Sequence, residues 1–320
     1  MTTKIEWCQE TWNPVTGCTP ISEGCTHCYA QRMAKRLAGR YGYPADYPFK
    51  VTFHPDRLED PLKWRKPRQI FVCSMGDLFH DDVSFYDIEK VFNTINDCDP
   101  QRNGGVDHRF LILTKRPKRM KSFFEMSDND WRIALNPSIW LGVTAENQKR
   151  ADERIPILLQ IPAAVRFVSV EPMLGPVDLR NYLFHEDCDH YDCDENCMVG
   201  INPPYAGLIW TICGGESGPG ARPMHPDWAR LLRDQCVAAG VPFFFKQWGQ
   251  WEPVSPVHGG TEEEENRWAD EYGRRESLEP NGYFSDEGFQ PGPKAYLVEN
   301  VGKKKAGRLL DGRTWDEYPT

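Results

Sequence analysis

Short apolar runs recur along the first 250 residues, each followed by a polar stretch with helical spacing. Runs at 69–74, 109–114, 139–144, 165–170, 208–213 and 241–246 are rich in Val, Ile, Leu and Phe. That pattern suits strands buried on both faces of a parallel sheet. An earlier strand is expected over 11–16. Helical patterns follow at 28–38, 85–96, 147–159 and 226–239, the last with an acid near its start and a stop at Gly240. No repeat of 20–50 residues is evident. About six to seven βα units predict an α/β chain folded as a complete or partial (β/α) TIM-type barrel.

Two segments interrupt the alternation. Residues 185–205 are acidic and Cys-rich, an insertion in a barrel domain expected over 1–250. Residues 251–320 are polar and Gly/Pro-rich, with an acid run at Glu262–Glu265 and Lys303-Lys304-Lys305 near the end. They read as a polar C-terminal extension without a core signal of its own.

At 320 residues, 40% hydrophobic and 27% charged, the chain is globular and long enough to bury a core. No stretch approaches the length of a membrane span, and the N-terminus has no apolar signal-peptide core. A cytoplasmic protein with no membrane association is the expectation. The net charge of −9 is uneven: residues 1–121 hold 19 Lys and Arg against 15 Asp and Glu, the remainder 19 against 32. Basic clusters stand at Arg32/Lys35/Arg36/Arg40, Lys63/Arg65/Lys66/Arg68 and Lys115/Arg116/Lys118/Arg119/Lys121. An acidic whole disfavours strong non-specific nucleic-acid binding, whereas a local basic face permits a phosphate-bearing substrate.

Eleven cysteines in a chain without an export signal point to metal or redox chemistry more than to disulfides. Cys73, Cys98, Cys213 and Cys236 stand alone and read as small buried hydrophobes. Cys18, Cys25 and Cys28 form a group with spacings of six and two residues, running from a strand end into a helix. Three thiolates suit a [4Fe–4S] cluster with one iron open, or a zinc site completed by Cys8 or His27. Cys188, Cys193 and Cys197, with His185 and His190, hold enough ligands for a second metal. The other polar groups gather where strands end: Ser74-Met75-Gly76-Asp77, Thr114-Lys115-Arg116, Thr144-Ala145-Glu146, Glu171 and Gly214-Gly215-Glu216. Ser74–Asp77 reads either as a turn in which Gly76 admits a close backbone approach and Asp77 supplies an acceptor, or as an Asp-capped turn. Lys115 and Arg116 could grip a carboxylate or phosphate. Glu171 and Glu216 each need a partner, for which Lys246 is a candidate, and these three are the candidate catalytic residues. Trp7, Trp12, Trp140, Trp210, Trp248 and Trp251 lie near strand ends, as core packing or as stacking surfaces for bases.

The runs Trp12-Asn13-Pro14-Val15-Thr16-Gly17-Cys18 and Gly24-Cys25-Thr26-His27-Cys28-Tyr29-Ala30 resemble those of the phage-associated three-Cys-motif proteins, distant relatives of the radical S-adenosylmethionine enzymes. The resemblance extends to Ser169–Pro176, Gly214–Pro223 and Phe244–Gly249 and covers residues 4–250. The first spacer is six residues where the usual radical enzyme has three. The resemblance implies that Cys18, Cys25 and Cys28 ligate three irons of a [4Fe–4S] cluster and that S-adenosylmethionine chelates the fourth. Cleavage to methionine and a 5′-deoxyadenosyl radical would then abstract a substrate hydrogen, with a reductant protein supplying the electron. Tyr29 matches the aromatic position near the adenine. Ser74, Gly76 and Asp77 match by position the segment that receives the methionine ammonium. Lys115, Arg116, Glu171, Gly214, Gly215 and Glu216 complete the candidate cofactor contacts. A nucleotide or nucleic acid is the candidate substrate class. The alternative from another class is a zinc-stabilised nucleic-acid-binding or interaction protein without turnover.

Overall fold

The computed structural model describes residues 3, 5–100, 105–126, 136–184, 207–256, 275–281 and 295–319. The segment 185–205, with Cys188, Cys193 and Cys197, lies wholly outside the described residues. The chain begins with strand β1 (Glu10–Trp12), then β2 (Val15–Thr16), which pairs antiparallel with β3 (Thr52–Phe53). The single strand expected over 11–16 is therefore two. Pro14 has no N–H to continue a ladder. Beside it, Asn13 turns its Oδ1 to accept from Ser74 Oγ (3.2 Å) and Met75 N (2.9 Å).

Six further strands follow: β4 (Gln69–Val72), β5 (Arg109–Thr114), β6 (Ile139–Thr144), β7 (Val165–Val170), β8 (Trp210–Gly214) and β9 (Phe243–Gln247). With β1 they form one parallel sheet in the order β1-β4-β5-β6-β7-β8-β9, curled into a half-barrel. Because each new strand adds on the same side, right-handed crossovers place every connecting helix on one face, and the twist curls the sheet away from them. The architecture is a partial β/α barrel with edges at β1 and β9.

The helices are α1 (Tyr29–Leu37), α2 (Phe85–Asp97), α3 (Pro117–Met126), α4 (Gln148–Leu158) and α5 (Pro226–Ala238). Ser84 caps α2 and Asn147 caps α4, each accepting a backbone N–H three residues on. Their buried faces, such as Ile88, Val91 and Phe92 of α2 and Ile155 and Leu158 of α4, join Ile70, Val72, Phe110, Ile112, Leu141 and Val168 of the strands in the main core. The alternate strand residues Phe71, Leu111, Trp140, Phe167, Trp210 and Phe244 build a second, aromatic core on the inner face, with Trp7. This two-sided burial explains why the strands lack polar alternation. Cys73, Cys98, Cys213 and Cys236 are buried; burial pushes the Cys73, Cys98 and Cys236 thiols up to about 12. All six tryptophans near strand ends are buried, so none offers a stacking surface.

After β9 comes a three-stranded antiparallel sheet, β10 (Trp251–Pro256), β11 (Arg275–Leu278) and β12 (Tyr296–Asn300), in the order β10-β12-β11. Trp251, Leu278 and Val298 make its small core. Helix α6 (Lys303–Ala306) leads the chain back to the barrel. Phe245 N donates to Trp315 O (2.9 Å), Trp210 Nε1 to Glu317 O (2.8 Å), and Tyr318 packs on the Trp210 ring. The C-terminal strap thus covers the β9 edge and closes the inner core. Among the described residues, no helix is long and apolar enough to cross a membrane.

Candidate functional site

Parallel strands direct all their carboxyl ends to one side of a sheet, so the polar residues that follow β4 through β9 share one mouth. The loop bearing the three cysteines lies across it. It leaves β2 at Gly17, whose φ of +83° and contact with the Lys50 carbonyl exclude a side chain. Gly17 N donates to Met75 O (2.9 Å) and Cys18 N to Phe49 O (3.3 Å). A short 3-10 turn, Glu23–Cys25, follows, and Cys28 is the residue immediately before α1.

Four polar side chains of this loop, Thr19, Ser22, Glu23 and His27, are held by residues that follow β4, β5, β6 and β8. Thr19 Oγ1 meets His80 Nε2 (2.8 Å) and accepts from Arg116 Nη2 (2.9 Å); Arg116 in turn pairs with Asp81 (2.8 Å). Ser22 Oγ donates to Glu146 Oε1 (2.6 Å). Glu23 accepts from Arg150 Nη2 (2.7 Å) and Asn147, and the Arg150 hydrogen bonds hold its carboxyl down to about 2. His27 Nδ1 lies 3.1 Å from Glu216 Oε2. The three thiols are half-buried between these tethers. Burial, then the carboxylate of Asp77, pushes Cys18 up to about 12, while Arg116 beside it pulls the other way.

Beneath the loop are three ionic constellations. Glu146, fully buried, accepts from Lys115 Nζ (2.5 Å) at Oε1 and from Arg154 Nη1 (2.8 Å) at Oε2. Burial alone would raise its pKa. Lys115 and Arg154 override that, and the carboxyl lies below its ordinary value. Glu216, also buried, takes Arg222 N and Nε at Oε2 (both 2.9 Å) and Arg222 Nη2 at Oε1 (2.7 Å). There too burial raises and the Arg222 hydrogen bonds prevail, leaving the pKa lowered. Glu171 accepts from Lys246 Nζ with both oxygens (2.7 and 3.0 Å). Burial would lower the Lys246 pKa, but Glu171 outweighs it and the ammonium is retained more strongly than usual.

Of the residues expected in the site, Lys246 therefore finds Glu171 and not Glu216. Asp77 serves as a brace: Oδ1 accepts from Phe79 N (3.0 Å) and Thr114 Oγ1 (2.7 Å), and Oδ2 from Lys115 N (3.2 Å). Tyr29 donates its hydroxyl to Ser74 O while its ring stays half exposed. Gly76 lies against Thr16 and Gly17. Gly214 packs on Glu171, its Cβ position 3.3 Å from that carboxyl carbon, and Gly215 sits against the Trp248 carbonyl. The partners Glu146, Arg154, Arg222 and Asn13 are the residues that sequence reasoning left without a role. Glu146 stood among the strand-end polar groups, as Glu171 and Glu216 do, but its place after an apolar strand was not read as the need for a buried partner.

Among the described residues, no group of three or more His, Cys, Asp and Glu side chains is disposed around a single metal ion. The donor set at the mouth is three thiols on one tethered loop. Such a set fits a polynuclear cluster, which spreads its ligands over several irons.

A partial β/α barrel with a polar, cysteine-bearing mouth at the carboxyl ends of its strands is the class that fold and site define. The chain belongs to a protein family of unknown function, DUF5131, whose profile matches residues 2–319. No curated protein and no solved structure matches it.

Proposed function

We propose that the protein is a radical S-adenosylmethionine-type enzyme with a [4Fe–4S] cluster on Cys18, Cys25 and Cys28. The observation that carries this reading is the three-cysteine loop pinned across the barrel mouth by residues following β4, β5, β6 and β8. When bound, the cluster supplies the electron that cleaves S-adenosylmethionine and so starts hydrogen abstraction. The chain's own residues keep the three thiols on one side of the mouth. Thr19, Ser22, Glu23 and His27 fix the loop's course, and Glu146 and Glu216 take its pull with paired cations beneath. The half-exposed Tyr29 ring offers a face for an adenine, and the close-packed glycines 76, 214 and 215 keep side chains out of the mouth. Lys246 and Glu171 line it with a neutralised ion pair, able to exchange partners with a charged ligand. The substrate class suggested is a nucleotide or nucleic acid, and a reductant protein would be the partner.

The test is anaerobic incubation of reconstituted, reduced protein with S-adenosylmethionine. Methionine and 5′-deoxyadenosine should form with wild type and not with Cys18→Ala, Cys25→Ala or Cys28→Ala. No cleavage by a protein that carries its full cluster would overturn the reading.

A further inference from the structure

The three basic clusters have different fates in the fold. Lys63, Arg65, Lys66 and Arg68 precede β4 and so lie at the end of the sheet away from the mouth. Lys115, Arg116 and Arg119 are engaged by Glu146, by Asp81 and by the backbone of His80 and Val83. The first cluster is different. Residues 29–50 hold five Lys and Arg against one Asp, in a chain of net charge −9. Lys35, Arg36, Arg40 and Lys50 are exposed, and none has an ion pair among the described residues.

The same stretch displays aromatic rings on a fixed frame. Tyr41 and Tyr47 are each 75% exposed. Gly39 N donates to Tyr43 O (2.9 Å), Tyr43 N to Arg40 O (3.0 Å) and Lys50 N to Tyr47 O (2.9 Å), so both tyrosines project from closed turns. Tyr41 adopts a φ of +51°, a costly conformation for a bulky residue, and Arg57 Nη2 donates to its carbonyl (2.5 Å). The patch adjoins the mouth, because Phe49 O accepts from Cys18 N and the Lys50 carbonyl packs on Gly17.

Cations without an ion pair, interleaved with exposed rings on hydrogen-bonded turns, are what a single-stranded nucleic acid recognises: charge for the phosphates, ring faces for unstacked bases. We propose that α1 and the turns at 38–50 form a binding face for single-stranded nucleic acid that leads to the cysteine-bearing mouth. An acidic peptide would use the cations without needing the rings, and a duplex keeps its bases stacked away from them. The proposal names the substrate class of the enzymatic reading above, yet binding requires no turnover. Strand binding without S-adenosylmethionine cleavage would sink that reading alone, and cleavage without strand binding would sink this one alone.

The test is fluorescence anisotropy of the full chain with a labelled oligothymidylate of about 15 nucleotides, within the usual span of single-strand sites. Affinity should fall with rising salt. Lys35→Gln/Arg36→Gln/Arg40→Gln/Lys50→Gln should weaken binding at least about tenfold and lower the salt slope by about 3, at about 0.7 for each single-strand phosphate contact. Tyr41→Ala/Tyr47→Ala should cost about fivefold or more at an unchanged slope. Both variants replace exposed residues and should keep the wild-type unfolding midpoint. Wild-type affinity in the cation variant, equal binding of the matching duplex, or equal competition by polyglutamate would overturn the proposal.

Discussion

Glu146 is the residue on which the site's architecture leans most. It is fully buried, it joins β6 to the cysteine loop through Ser22, and it compensates both Lys115 and Arg154. Removing one member of such a group leaves buried charge without a counter-ion. Glu146→Gln should therefore cost about 3–5 kcal/mol in denaturant unfolding. Glu146 and Glu216 have pKa values lowered below 4.5 in the fold. Their contribution is present above that value and is lost as pH falls through the lower folded pKa. Stability should thus decline below about pH 4.5, and Glu146→Gln should flatten part of that decline; an unchanged acid limb would refute the assignment. At the Glu171–Lys246 pair, Glu171→Gln should cost about 1.5–3 kcal/mol. The double change with Lys246→Met should recover part of it, which a double-mutant cycle would measure.

At the scale of elements, much of the barrel was legible from residue order. The runs at 109–114, 139–144 and 165–170 are strands with those bounds, because both faces of a parallel sheet want the same Val, Ile, Leu and Phe composition. Helix α3 was not legible: Pro117-Lys118-Arg119-Met120-Lys121 reads as a charge cluster, and only Met120, Phe123 and Phe124 reveal its buried face. The break between β1 and β2 depends on Asn13 hydrogen-bonding 61 residues away at Ser74, which no local pattern encodes. The site was legible as a set of strand-end residues, whereas its pairings were not, because they are set by sheet curvature and the course of the loop. Two glycines carry the element-scale prediction. Gly17→Ala and Gly215→Ala place a methyl group against the carbonyls of Lys50 and Trp248. Each should lower the unfolding midpoint, and Gly17→Ala should also disturb the cysteine loop; wild-type midpoints would contradict the tight backbone approach.

On the scale of the molecule, the half-barrel is finished by its two chain ends. Trp7 and Tyr318 pack on Trp210 inside the curl, and the 315–317 backbone covers β9, an edge that would otherwise invite pairing with another chain. Leu310 is fully buried in the main core, so Leu310→Ala should cost about 2–5 kcal/mol despite its place near the C-terminus. A cost under half a kcal/mol, the size of an ordinary surface substitution, would show that the strap is dispensable. The braced mouth is the setting in which the thiols of Cys18, Cys25 and Cys28 are presented, and their metal content decides between the two functional readings. Iron, sulfide and zinc should be measured in protein prepared without oxygen, for wild type and for the Cys18→Ala/Cys25→Ala/Cys28→Ala variant. The account predicts about four irons and four sulfides per chain that are lost in the variant, as for a [4Fe–4S] centre. About one zinc per chain, with no iron after reconstitution, would contradict it and make the cysteines a structural metal site.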